Sequence, residues 1–188
     1  MRFTSFKYSV LSVFLVLFCF QFSLAQSGGD SDAVDSLKIV KNAKFEISYP
    51  DSWRIDQSGA RGSEFILYLP YVGDNVTFSE NINLLIQDVS GYDMNLQAYT
   101  DLSVNQLKQM FPTTKIITNE RKSADGLDYQ RMVFTATQKG LNLKFEQRYW
   151  VFSTNAYVIT ATYLESSAAF QEENVKLALD AFKPLGGK

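Results

Sequence analysis

The sequence predicts an α+β domain organised around an antiparallel meander, and three observations carry that prediction. Strand-like segments come first, then one helical window, then more strands and a last helix. That order differs from the strict alternation of a parallel α/β sheet. Between residues 115 and 164, four alternating segments are joined by turns too short for crossover connections. Finally, the apolar spacing changes from two residues to three and four at 96–110 and again near 168–182.

From Lys44, the residues Phe45, Ile47 and Tyr49 alternate with polar ones. Pro50-Asp51-Ser52 then turns the chain before Trp53-Arg54-Ile55. Glu64 to Leu69 and Ile82 to Val89 read as two further strands, separated by the loop-like Pro70-Tyr71-Val72-Gly73-Asp74-Asn75. Leu96, Tyr99, Ser103, Leu107 and Met110 share one helical face, with Asn95 as cap and Pro112 as terminator. Asp125-Gly126 is a hairpin signal, because both central positions of a type I′ turn need positive φ. It joins a strand ending near Ala124 to Leu127–Thr137. Gln138-Lys139-Gly140 and Ser153-Thr154-Asn155 supply the next two turns. Trp150 and Phe152 oppose Tyr149 and Val151, so both sides of that strand end are expected to be covered. In the last helix, from about Ala168 to Phe182, the expected stripe is Phe170, Asn174, Leu177, Ala178 and Ala181, capped by Ser166 or Ser167.

Residues 1–25 read as a cleaved export signal. Arg2 and Lys7 precede an apolar run from Val10 to Phe20, broken only by Ser12, and Ser23-Leu24-Ala25 offers small residues where a signal peptidase reads. The run is about half of the roughly 20 residues that span a bilayer as a helix. Cleavage is expected between Ala25 and Gln26. Residues 26–36, polar and acidic, read as a flexible leader, and 37–188 as a single domain. Asp30, Asp32 and Asp35 lack the glycine and closing glutamate of a calcium loop.

Composition excludes several chemistries from the expected mature chain. The sequence has no histidine, and its one cysteine, Cys19, lies within the signal. Disulfides, thiolate or imidazole metal sites, and Ser-His-Asp or Cys-His machinery are therefore not available to it. No cofactor is expected. Loss of Arg2 and Lys7 reduces 18 basic residues to 16 against 20 acidic ones, a net charge of −4. Such a chain has no long-range pull toward nucleic acid, and no later segment is apolar enough for a transmembrane helix.

Phe45-Glu46-Ile47-Ser48-Tyr49-Pro50-Asp51-Ser52-Trp53, Asn81-Ile82-Asn83-Leu84 and Asp125-Gly126 with Tyr129 occur in an order that continues through Tyr157-Val158-Ile159-Thr160 and Ala181-Phe182-Lys183-Pro184-Leu185. In these segments and their order, the sequence resembles the PsbP-like family across nearly the whole mature chain. The resemblance implies an antiparallel sheet with helices packed on both faces, an α-β-α sandwich. It also implies a non-catalytic binding role: plant and cyanobacterial members dock on the oxygen-evolving photosystem, and a eukaryotic relative of the fold binds the GTPase Ran. The metal association of plant members runs through histidines, which this sequence lacks.

Two functional classes follow as expectations. One is an exported binding or accessory domain with a protein partner in the envelope or outside the cell. The other is a small-ligand carrier, or an enzyme using carboxylates in a cleft beside the sheet. Tyr71, Val72, Phe78 and Phe111 fall in connecting segments and are the expected partner contacts. Trp53, Trp150, Phe145 and Tyr149 are expected in the core. Lys144, Glu146 and Arg148 share one strand face and are expected to form a solvated charge pattern. Gly59 and Gly62 bracket only Ala-Arg and form no phosphate-cradling loop.

Mass spectrometry of exported protein should find Gln26 as the first residue; a species that retains Cys19 contradicts the assigned cleavage site.

Overall fold

Ten strands and two α-helices follow one another in the computed structural model, which describes residues 36–70 and 78–186. The strands are β1 (Leu37–Lys41), β2 (Phe45–Pro50), β3 (Arg54–Asp56), β4 (Phe65–Tyr68), β5 (Asn81–Asp88), β6 (Lys115–Ala124), β7 (Leu127–Gln138), β8 (Leu141–Val151), β9 (Asn155–Leu164) and β10 (Lys183–Pro184). Helix α1 is Leu96–Met110 and α2 is Ala168–Ala181. The main sheet has the order β3-β4-β5-β9-β8-β7-β6, and β1-β2-β10 form a separate small sheet. All pairings are antiparallel.

The meander forms where the turn chemistry places it. Asp125 and Gly126 adopt φ of 52° and 78°, and Lys139 and Gly140 adopt 50° and 82°. Positive φ at two consecutive positions matches the right-handed twist of the flanking strands, which makes both connections tight hairpins. The small sheet was not expected. Phe45–Pro50 pairs with β1 and β10 instead of joining the main sheet, and Leu37–Lys41 is a strand at the start of the domain. The β1–β2 turn is held by Asn42, whose Oδ1 accepts hydrogen bonds from the backbone N–H groups of Lys44 (2.8 Å) and Phe45 (3.0 Å). That side-chain acceptor substitutes for a glycine turn signal.

Strand alternation divides the apolar residues between two cores. Ile82, Leu84, Trp150, Ile159, Ala161 and Tyr163 meet Phe45, Ile47 and Tyr49 of β2 together with Val175, Ala178 and Leu179 of α2. The intervening positions Leu85, Phe134, Phe145, Tyr149 and Val158 meet Tyr99 and Leu107 of α1. Phe134 and Phe145 are cross-strand partners whose rings stack at 4.6 Å. Asn95 caps α1 as expected, accepting from the Ala98 N–H at 2.9 Å.

The helix faces depart from expectation in two places. Met110 is 50% exposed, since only Tyr99, Thr100 and Leu107 of α1 are buried. In α2 the buried stripe is Gln171, Val175, Ala178 and Leu179, whereas Leu177 is 50% exposed. The shift has a physical cause: Gln171 is drawn inward by a buried carboxylate described below, and this sets the rotation of the helix.

Replacing Leu179 with alanine should cost about 2–5 kcal/mol, the usual penalty for emptying a buried leucine site. Leu177→Ala should stay within about 0.5 kcal/mol. Paired urea denaturation curves distinguish this rotation from the reverse one.

Candidate functional site

The face of β8 that carries Lys144, Glu146, Arg148 and Trp150 determines where the site forms. These charges are not a solvated pattern: Glu146 is 8% exposed and Arg148 is 6%. Helix α2 covers them and supplies partners, Glu172 at 2.5 Å from Lys144 Nζ and Asp180 at 2.7 Å from Arg148 Nη1. The spacing accounts for the fit. Eight helical residues advance about 12 Å at 1.5 Å each. Four strand residues advance about 13 Å at 3.3 Å each. The helix therefore lies along the strand with its two acids above the two bases.

Arg131 of β7 is the direct cross-strand partner of Arg148. Like charges so placed repel, and Glu146 resolves the conflict by serving both. Its carboxylate receives Arg131 through Nε (2.9 Å) and Nη2 (2.8 Å), and Arg148 through Nε at 3.3 Å. The hydrogen bond to Glu146 raises the pKa of Arg131 further. The chain of pairs continues from Arg131 to Glu120 (3.3 Å) and Lys122 (3.2 Å), and from Asp180 to Lys176 (2.8 Å).

A second buried carboxylate anchors the other end of α2. Glu80, 5% exposed, accepts from the Leu164 N–H at 3.0 Å and from Ser167 Oγ and Gln171 Nε2. Gln171 Nε2 also donates to the Pro70 carbonyl at 3.3 Å. Ser167 occupies the N-cap position of α2, as expected. Ser167 makes no capping bond within its own helix, and the negative charge of Glu80 stands at the helix start, where the macrodipole favours it.

At the C-terminal end of α2 the layers part, leaving a groove of about 400 Å³. Its apolar lining includes Leu127 and Tyr129 after the β6–β7 turn, Trp150 of β8, and Leu179, Phe182 and Leu185 at the end of the chain. The Tyr129 and Trp150 rings stack at 5.2 Å, and Trp150 meets Phe182 at 5.4 Å. Arg148, Asp180, Lys183 and Asp125 supply its polar lining. The Arg148 guanidinium carbon lies 5.7 Å from the Tyr129 ring centre. Burial raises the pKa of the Asp180 carboxyl, but hydrogen bonds from Lys176 and Arg148 outweigh that and hold it below the ordinary carboxylate range.

No family model matches the sequence, and no curated protein matches it. Solved structures do. Cyanobacterial PsbP from Synechocystis superposes with a TM-score of 0.60 at 16% identity, covering 86% of this chain and 98% of that one. LpqN of Mycobacterium tuberculosis, described as involved in cell envelope biogenesis, gives 0.61 at 12% identity over 81% and 92% of the two chains. A Pseudomonas aeruginosa protein of unknown function, a putative regulator, gives 0.55 at 15% identity over 76% and 93%. The fold is PsbP-like.

Within this PsbP-like domain, the residues singled out from the sequence have separate fates. Tyr71, Val72, Ala25 and Gln26 lie outside the described residues. Phe78 is 5% exposed and belongs to the α1-side core, and Phe111 packs partly buried against the same cluster. Phe78 is thereby corrected from exposed contact to core, whereas Phe111 stays only partly buried. Burying such a ring gains about 1.5–3 kcal/mol, enough to fold a connecting segment inward. Trp53, Trp150, Phe145 and Tyr149 are buried as expected, and Trp150 also lines the groove. A cleft beside the sheet is among the expectations, but the sequence does not mark the residues that build this groove. Its residues come from three separated stretches, and its one signal in the sequence, the charges leading to Trp150 on β8, has the same pattern as a solvent-facing strand. Among the described residues, no group of three or more acidic side chains could hold a metal ion, and no helix is long and apolar enough to cross a membrane.

The Asp180 pairing predicts a pH dependence. A carboxyl lowered in the folded state stabilises above its unfolded value, 3.8, and that contribution is lost as pH falls through the folded value. Asp180→Asn should melt below the wild type at neutral pH, and the gap should close in acid below pH 3.8. A gap that stays constant across the titration contradicts the assignment.

Proposed function

We propose that the protein is an exported, non-catalytic binding or accessory domain that docks on a protein partner in the cell envelope or outside the cell. The observation that carries this reading is the free edge of β1. In the order β1-β2-β10 one side of β1 has no pairing strand among the described residues. Leu37 and Ile39 stand on one face of that strand, 60% and 65% exposed. An open strand edge with adjacent large apolar side chains is a template for an added strand, in which backbone hydrogen bonds give affinity and side-chain contacts give selectivity. Lys38 Nζ donates to the Asp51 carbonyl at 3.1 Å and Lys41 pairs with Glu46 at 2.6 Å, so the added strand that fits is selected by its own apolar residues.

Further support comes from the charged groups. Glu146 and Arg148 are committed to ion pairs that hold α2 on the sheet, and Asp180 is kept ionised, a poor state for a general acid. We infer an α-β-α layering in which α1 and α2 cover opposite faces of the main sheet, which leaves edges and rims as the contact surfaces. LpqN, a structural neighbour, is described as involved in cell envelope biogenesis. The expected signal at residues 1–25 suits the same compartment. Tyr71 and Val72, outside the described residues, remain proposed contacts.

Photo-crosslinking residues placed at Ile39 and Tyr71 in exported protein should each yield the same discrete adduct, with none from position 177. The double variant Leu37→Glu, Ile39→Glu should weaken capture at least tenfold with an unchanged melting midpoint. Capture that persists in this variant removes the β1 edge as the docking surface.

A further inference from the structure

We propose that the groove at the C-terminal end of α2 is a binding site for a small amphipathic carboxylate, a medium-chain or aryl-substituted organic acid. Its volume of about 400 Å³ lies within the range of pockets that hold small molecules. Leu127, Trp150, Leu179 and Phe182 provide an apolar wall for the body of such a ligand.

The head group is specified by Arg148. This side chain lines the groove although the residue is 94% buried, its exposure being 6%. Nε is used by Glu146 and Nη1 by Asp180, while Nη2 has no hydrogen-bond partner among the described residues. A guanidinium donor in a poorly hydrated pocket favours an anionic oxygen, because charge-assisted hydrogen bonds are about twice as strong as neutral ones.

Charge balance selects the same ligand. The connected chain of pairs contains four cations, Lys122, Arg131, Arg148 and Lys176, against three carboxylates, Glu120, Glu146 and Asp180. One positive charge is therefore in excess on the network that reaches the groove. Lys183 adds a cation to the lining, and Asp125 of the hairpin turn adds an acid. One carboxylate neutralises the excess, whereas a cationic head would add to it and a polyanion would meet Asp125 and Asp180. This site is independent of the β1 edge, so either can stand without the other.

Titration calorimetry with three probes of equal chain length tests the proposal: decanoate, decanol and decyltrimethylammonium. Decanoate should bind at a single site, decanol at least tenfold more weakly, and the cation not at all. Arg148 belongs to the ion-pair chain, so its replacement confuses binding with folding. Two variants avoid this. Leu127→Trp fills the groove and should reduce decanoate affinity at least tenfold with the melting midpoint retained. Lys183→Glu, at an exposed position, should weaken decanoate but not decanol. Equal affinity for all three probes, undiminished binding to Leu127→Trp, or no binding of decanoate to the wild type overturns the proposal. Retention of decanoate binding in the Leu37→Glu, Ile39→Glu variant shows that the two sites are separate.

Discussion

The carboxylate of Glu146, lying between Arg131 and Arg148, is the interaction on which the rest of the arrangement depends. Two arginines directly opposite each other on neighbouring strands repel, and removing them from water adds a desolvation cost. Glu146 binds both, and the acids of α2 complete the pairing. If that carboxylate were removed, the buried Arg148 and the partly buried Arg131 would be left under-compensated; breaking a buried pair typically costs about 3–5 kcal/mol. The ion-pair chain is therefore better understood as a device that selects one placement of α2 than as a net source of stability.

Placement of α2 then shapes the surface. Its acids sit eight residues apart above bases four residues apart on β8, and Gln171 is tied at the other end to Glu80 and Pro70. Fixed at both ends, the helix cannot slide to close the space beside Trp150 and Tyr129. The groove is what remains, and an arginine nitrogen faces it because the other nitrogens are occupied in positioning the helix.

Identities of 12% to 16% with structures that superpose over most of their length show how little sequence a PsbP-like fold requires. What is shared is the alternation that feeds two cores and the turns between strands. Function in such a scaffold depends on edges, rims and grooves, whose residues are free to differ. In this chain the surfaces proposed for binding are the edge of β1 and the groove at the end of α2.

Much of the fold was legible in the sequence because its signals are local. The Asp125-Gly126 turn, the cap at Asn95, the stop at Pro112 and the alternation along β7, β8 and β9 each depend on residues within a few positions of one another. The absence of histidine likewise restricted the available chemistry from composition alone. The remaining features depended on contacts between distant segments. Alternating charge on β8 has the same pattern whether water or a helix lies above it, and only the docking of α2 turned that face inward. Periodicity places a stripe on α2 but does not set its rotation, which follows from Glu80, 91 residues before Gln171. Phe78 looks like a loop residue by position, and the neighbouring core made it interior. Burial is a property of what packs against a residue, so the groove became visible only once the hairpin, β8 and the end of α2 had been brought together.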